Sequence, residues 1–495
     1  MISSGEPKAS AEVNLGRCKP MSTNGQSVNL GLPRSPLLLP SLGKVQVLVA
    51  GVDFSNARST ETAYQMLAGF ELSKVREFYS TSSYGRLNLE FTLVSEVLNL
   101  PISDLGVNER TISLETAKKI PAVYNFSDYR ALLIVTTKNS SYSSSTASAA
   151  SIVENSTGRI TNYSVLAGIK PNESRWLSSP WRTVAHEVGH LLGLMDLWNR
   201  EDSTAWQGQT AAPFSLMNTG AGWGYAADFF AWEKWILGWI PESGMKCSLL
   251  DSEEVEIKMS SLGSSDGIRL VAIPISDTKM VAIEYRELSP LDFGITKSGF
   301  LVYMVDTSKR NFELPITLVP SEESLQQPLS QNLKDYERYK KAPLAKFDLV
   351  ETSGINIANL GISDNKVLLL SKMPKSEVRQ RLVKLAIQEK VEAEAKAALE
   401  LKAKQEAEAK AAAELKAKQE AEAKAAAELK AKQEAEAKAA AELKAKQEAE
   451  AKAAAEKAAT VTSTNKKITI TCIKGKTVKK VTAINPKCPK GFKKR

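Results

Sequence analysis

Histidine is nearly absent from this 495-residue chain: there are two, His186 and His190. That scarcity excludes a metal site built on three or four imidazoles, so any ion held by these histidines must complete its coordination with another residue type. Cysteine is also sparse. Cys18, Cys247, Cys472 and Cys488 form no CxxC pair and no Cys/His cluster, which argues against a structural zinc site of the finger type. Cys472 and Cys488 flank a short segment punctuated by Gly and Pro and could close a small loop in an oxidising compartment, whereas a Cys18–Cys247 bridge is the less expected pairing. No run reaches the ~18 consecutive apolar residues of a membrane span. The opening residues MISSGEPKAS lack the basic region, apolar run and cleavage site of a signal peptide. Either the chain is cytoplasmic, or this start lies inside or downstream of an export signal.

Acidic residues are missing from one region. Residues 461–495 carry eleven Lys or Arg and no Asp or Glu, so of the formal +9 this tail supplies +11 and the remainder of the chain −2. A nucleic-acid reading of the whole chain therefore loses its main support. Within the tail the aromatic content is one residue, Phe492, too few for base stacking, and no specific nucleic-acid partner is expected. The pattern KKITITCIKGKTVKKVTAINPKCPKGFKKR reads as a small β unit around a Cys pair. Its expected partner is an anionic surface, cell-wall polymer or membrane headgroups, with a disordered basic tail lacking a specific partner as the alternative.

Five segments follow from the composition shifts. Residues 1–43, polar and rich in Ser, Pro and Gly, read as a loosely ordered leader. KVQVLVAGVDF (44–54) and RALLIVTT (130–137) have the β-branched runs of buried strands. Between them, residues 62–85 show helical spacing, with Met66, Phe70, Val75 and Phe78 on one face and Gly85 as a stop. Alternating strands and helices predict an α/β (α+β) domain over 44–245. Short alternating runs such as EVEIKM, IRLVAIPI and KMVAIEYREL predict a β-sandwich-like domain over 246–372.

Residues 373–460 are almost pure Ala, Glu, Lys, Gln and Leu, with a 14-residue repeat marked by Leu401, Leu415, Leu429 and Leu443. Fourteen is two heptads, so a coiled coil is one reading. With a single Leu per two heptads, a solvated single helix acting as a spacer is the other and better one, and about 80 helical residues would span on the order of 120 Å.

The two histidines sit in SSPWRTVAHEVGHLLG (178–193). Ser179 suits the cap, Pro180 the first helical position and Gly193 a left-handed residue after the last turn. His186 and His190 are four apart on a helix, so both rings leave one face and can hold one ion. Glu187, rotated by about 100°, can act as general base on a water activated by that ion without occupying a coordination site. The plain alternative is an amphipathic helix with two incidental histidines. With no third histidine, Asp196 is the nearest third ligand, giving HExxHxxGxxD; Glu201 and Glu233 are fallbacks. Met217, in PFSLMNTGAGWG, suits an apolar floor beneath a zinc site, and otherwise a core residue entering a loop. Tyr225 is a candidate secondary oxyanion donor, or else a core or surface tyrosine.

Together these residues resemble the immune inhibitor A-like family of secreted bacterial zinc metallopeptidases. GVDF (51–54), VREFYSTSSYGRLNL (75–89), SLMNTG, FFAWEKWILGWI (229–240), MVAIEYRE (280–287) and SGFLVYMVD (298–306) are similar to the family's blocks in their order, over residues 44–310. The resemblance implies a zincin-like, metzincin-like metallopeptidase domain, one catalytic Zn2+ on His186, His190 and Asp196, and Glu187 as base. It also implies a protein or peptide substrate and an extracellular or cell-surface location. The chain departs from the family at Met304, where members often have His, and in showing no propeptide of the usual size before residue 44. Cys18 as a thiolate masking the ion is one conceivable latency device; an ordinary leader cysteine is the simpler reading.

The expected function is zinc-dependent endopeptidase action on extracellular proteins, tethered near a surface by the spacer and tail. A catalytically inactive zinc-fold scaffold of the cell surface is the alternative, against which the intact Glu187 argues. Whether Ca2+ also binds, and the oligomeric state, are tertiary properties on which the pattern is silent.

Overall fold

The strand expected over 44–54 forms the centre of the first sheet in the computed structural model, which describes residues 15–169, 179–199, 214–218, 228–292, 295–326, 339–362, 364, 366–455 and 467–495. Strand β1 (Gly43–Asp53) lies between β2 (Leu87–Leu93) and β4 (Ala131–Thr136), parallel to both. β3 (Leu98–Asn99) also pairs with β1. The order continues β2-β1-β4-β8-β5, where β8 (Tyr163–Leu166) runs parallel to β4 and β5 (Thr146–Ser148) runs antiparallel at the edge, while β6 (Val153–Asn155) and β7 (Gly158–Ile160) pair with each other in a separate hairpin. Both faces of β1 are covered, which explains its unbroken apolar run. Val45, Val47 and Val49 enter one core, and Leu48, Ala50 and Val52 enter another, where Ile112 and Ala117 of helix α3 (Glu109–Lys119) lie.

The helical stretch after β1 is two helices rather than one. α1 (Ala63–Ala68) starts with a Thr62/Gln65 capping box, and α2 (Leu72–Ser82) follows a break at Gly69–Glu71, where Glu71 takes a φ of 45°. The break suits Gly69, whose Cα faces Ile169 so closely that a Cβ would collide with it. Met66, Phe70, Val75 and Phe78 still share one core. Gly85 (φ 76°) donates its N–H to Ser80 O and turns the chain into β2.

Past residue 245, two sheets share a core. One has the order β14-β13-β12-β11-β9, built from β9 (Met245–Cys247), β11 (Leu270–Pro274), β12 (Lys279–Arg286), β13 (Gly299–Asp306) and β14 (Ile316–Leu318). The other has the order β10-β17-β16-β15, from β10 (Glu254–Lys258), β15 (Leu349–Thr352), β16 (Ile355–Asn359) and β17 (Val367–Ser371). Val281, Ile283, Phe300 and Val302 of the first sheet meet Ile355, Ile357, Leu368 and Leu370 of the second. The opposite face of the first sheet, including Met280, Ala282, Leu301 and Tyr303, joins the core of the α/β layer around Phe230 and Trp232. The two segments expected as separate domains therefore pack through a continuous interior, within a unit that runs from Met1 to Glu392.

The leader expectation for residues 1–43 is corrected over 15–43, which are packed, not loose. Cys18, Leu30 and Leu39 are fully buried, Cys18 is disulfide-bonded to Cys247 at a Cα separation of 5.8 Å, and Leu39 N–H donates to Leu191 O. The polar composition misled because Cys18, Leu30, Leu38 and Leu39 point inward, although Met21, Leu37 and Leu42 stay exposed. The disulfide also removes Cys18 as a masking thiolate.

After two short helices, α5 (Ala231–Ile236) and α6 (Glu322–Gln326), the repeat segment is one continuous helix, α7 (Lys375–Ala455), whose Leu401, Leu415, Leu429 and Leu443 are all exposed. Its start is not a free spacer: Val378 and Leu382 are buried against Leu349, Leu360 and Leu369. No helix among the described residues is long and apolar enough to cross a membrane. The second unit, Ala393–Arg495, ends in a three-stranded sheet of β18 (Ile468–Lys474), β19 (Thr477–Ala483) and β20 (Lys493–Lys494), closed by Cys472–Cys488.

Candidate metal centre

Helix α4 (Pro180–Leu191) carries both histidines. Pro180 occupies its first turn, while Ser179 stands at the N-cap without a side-chain cap bond, its carbonyl accepting from Arg182 N–H instead. Val184, Ala185, Val188, Leu191 and Leu192 anchor the helix in the core. At its end Gly193 takes a φ of 95°, conserving hydrogen bonds to the last turn through its own N–H to His190 O and that of Leu194 to Gly189 O. This turn reverses the chain and brings Asp196 back over the histidine face.

Three donor groups converge there. His190 Nε2 lies 3.1 Å from His186 Nε2; Asp196 Oδ1 is 3.2 Å from His186 Nε2, and Asp196 Oδ2 is 3.4 Å from His190 Nε2. Two bonds of about 2.05 Å at the tetrahedral angle would separate their donor atoms by about 3.3 Å, so the spacing fits one small cation. Among the described residues this is the one His/Cys/Asp/Glu group with such spacing.

The other face of each ring fixes its tautomer. His186 Nδ1 lies 3.0 Å from Leu216 O and His190 Nδ1 lies 2.9 Å from Leu194 O. Carbonyls only accept, so both Nδ1 atoms carry a proton and each Nε2 is left facing Asp196, where it offers a lone pair once the ring is neutral. Burial pulls the His190 imidazole pKa down, but the charge and hydrogen bond of Asp196 and the charge of Glu187 outweigh it and raise it to about 9. His186 is raised on the same balance. Burial pushes the Asp196 carboxyl up, yet the two imidazoles hold it well below the usual carboxylate range.

Glu187 is 5% exposed, and burial raises its pKa against the pull of the two histidines. No hydrogen bond from the described residues ties up its carboxylate. Met217 is fully buried under the helix: a Cβ at Gly189 would collide with Met217 Sδ. Leu197 N–H donates to Met217 O at 3.0 Å, so the 214–218 segment braces the ligand turn as well as His186.

Of the fallback ligands, Glu233 is not among the converging donors; one of its carboxylate oxygens accepts from Ser215 Oγ at 2.7 Å and from Phe230 N–H at 2.8 Å. Burial, with Glu284 nearby, raises it to about 7 despite those bonds and Arg286. Glu201 and Tyr225 lie outside the described residues. Met304 lies in β13, pairs with Thr317 of β14 and packs on the two-sheet core.

Several supporting residues were invisible to spacing arguments. Arg286, fully buried, bonds Asp292, Glu284 and the carbonyls of Phe214 and Phe229, which ties the floor segment to the start of the Ala231–Ile236 helix. Trp198 Nε1–H donates to Asp196 Oδ1 at 3.1 Å, and Asn311 Nδ2–H donates to Asp196 Oδ2 at 3.1 Å. Only Trp198 stood near the motif; Arg286 comes from β12 and Asn311 from the loop between β13 and β14. Compared with known proteins, the chain matches no family model and no curated relative.

Proposed function

We propose that this protein is a zinc-dependent endopeptidase of the immune inhibitor A-like, zincin-like kind. What carries the reading is one arrangement: three donors at tetrahedral spacing, both imidazoles oriented by carbonyls, and a buried carboxylate on the adjacent helical position. Two imidazoles and a carboxylate form the donor set of a catalytic zinc site, which keeps a position open. When bound, zinc would supply Lewis acidity, making a water nucleophilic at neutral pH and polarising a scissile carbonyl.

The chain's own residues supply the rest. Asp196, held anionic, offsets the cation's charge; His186 and His190 present fixed lone pairs. Glu187 accepts the proton of the attacking water and returns it to the leaving amine. Its raised pKa brings it closer to neutral pH, where transfer in both directions is efficient. A scaffold that merely bound an ion would have no use for a buried carboxylate free of described hydrogen bonds beside the ligands.

Two disulfides among the described residues support an extracellular or cell-surface setting, since such bonds persist in oxidising compartments. Helix α7 then serves as spacer and the cationic terminal sheet as anchor to an anionic cell-wall or membrane surface. Purified protein should contain one equivalent of zinc and cleave unfolded casein, with activity lost to a chelator and restored by Zn2+. Absence of stoichiometric metal after loading would sink the proposal.

A further inference from the structure

The geometry points to Asn311 as a positioning residue that gives Asp196 its ligand orientation, so that the loop after β13 completes the metal centre from outside the catalytic layer. The inference rests on the metal-site reading above. Asn311 lies 115 residues from Asp196 in sequence yet makes two hydrogen bonds to it: Asp196 N–H donates to Asn311 Oδ1 at 2.6 Å, and Asn311 Nδ2–H donates to Asp196 Oδ2 at 3.1 Å. One planar amide thus holds both the backbone and the carboxylate of the same residue, which restricts the carboxylate's rotation.

The occupancy of the carboxylate matters as much as its angle. Each oxygen has about two lone-pair directions. Trp198 takes one on Oδ1 and Asn311 takes one on Oδ2, while the same two oxygens face His186 and His190 respectively. Without Asn311, Oδ2 would be free to swing from the imidazoles.

The loop docks along the ligand turn in register. Asn311 meets Asp196, Phe312 stacks edge-on against Trp198 at 4.7 Å, and Glu313 bridges to Asn199. Phe312 and Leu314 hold φ values of 69° and 54°, uncommon for bulky residues, so this stretch does not follow an undemanding path between strands. Behind it, Asn311 N–H donates to Gln26 Oε1 at 2.7 Å, and Asn24 Nδ2–H to Lys309 O at 2.8 Å. The 15–43 segment therefore backs the loop that orients the ligand. Partners of this kind, outside the ligands themselves, typically change metal affinity by about 10- to 100-fold when removed.

The test is metal binding, not turnover. Zn2+ affinity is measured by competition with a chromophoric chelator, and the visible spectrum of the Co2+-loaded protein reports coordination geometry, for wild type, Asn311→Ala and the near-isosteric Asn311→Leu. Melting of each chelator-stripped protein shows a folding defect separately. We expect both variants to remain folded, to bind Zn2+ about 10- to 100-fold more weakly, and to change the Co2+ spectrum; Gln26→Ala should move both readouts less in the same direction. Unchanged affinity and spectrum in a folded variant would overturn the assignment, as would failure of both variants to fold, which would make Asn311 a folding determinant only. Wild-type protein that binds no metal would instead overturn the metal-site reading itself.

Discussion

Replacing Gly189 with alanine tests the floor beneath the metal helix. In an ordinary helix interior this change stabilises by about 1 kcal/mol, because glycine loses more backbone freedom on folding. Here the new Cβ would overlap Met217 Sδ and stand 3.2 Å from Met217 Cε and 3.6 Å from Tyr79 Oη. Met217 is fully buried, and its backbone is tied by Leu197 N–H on its carbonyl and by its own N–H on Ser215 Oγ. The methionine side chain can give a little, but the segment cannot withdraw without pulling Leu216 O from His186 Nδ1. Overpacking of this kind costs about 1–3 kcal/mol, which cancels or exceeds the helix gain.

Gly189→Ala should therefore be neutral to about 2 kcal/mol destabilising and should weaken metal binding. In a Met217→Ala background the same substitution meets space and should recover its gain of about 1 kcal/mol. Urea denaturation of the four proteins in the double-mutant cycle should give a coupling energy of about 1–3 kcal/mol. Equal stabilisation in both backgrounds, with metal affinity unchanged, would refute contact between Met217 and the helix.

Two further expectations concern charge. With the His190 pKa at about 9 against about 6.5 unfolded, its proton stabilises the stripped protein fully below pH 6.5 and is lost toward pH 9. Stripped protein should thus lose on the order of 3 kcal/mol across that window, while apparent Zn2+ affinity climbs by up to about tenfold per pH unit as the proton competes less; chelator titrations and urea melts at pH 6, 7.5 and 9 would show both, and parallel trends would contradict the assignment. Deleting residues 461–495, which remove eleven cations and no acid, should abolish salt-sensitive retention on anionic cell-wall material or anionic vesicles, and unchanged retention of the deleted form would rule out anchoring by the tail.

The helix that carries His186, Glu187 and His190 was legible because its logic is local. Four-residue spacing puts His186 and His190 on one face, Gly193 allows the reversal, and the absence of a third histidine left Asp196 as the nearest donor. What holds those residues was not legible, because it is assembled from distant segments. Arg286 ends a strand and Asn311 sits in a loop, both at unremarkable positions in the sequence, and only the packing of the β12–β13 sheet on the α/β layer brings them near the centre. The 15–43 segment misled for a related reason: Ser, Pro and Gly describe its surface, whereas its placement depends on Cys18, Leu30 and Leu39 finding partners more than a hundred residues away. The alternating runs predicted a sandwich-like domain, but not that both faces of β12 are buried and that its polar positions Glu284 and Arg286 serve an internal ion network.

The central claim is that Glu187 acts as a base beside a metal held by three other residues. Metal content and casein hydrolysis of Glu187→Gln test it together. The account predicts a folded variant that retains one equivalent of zinc and loses activity by at least about 10²-fold. Wild-type activity in that variant, or activity lost only because the metal is lost, would contradict it.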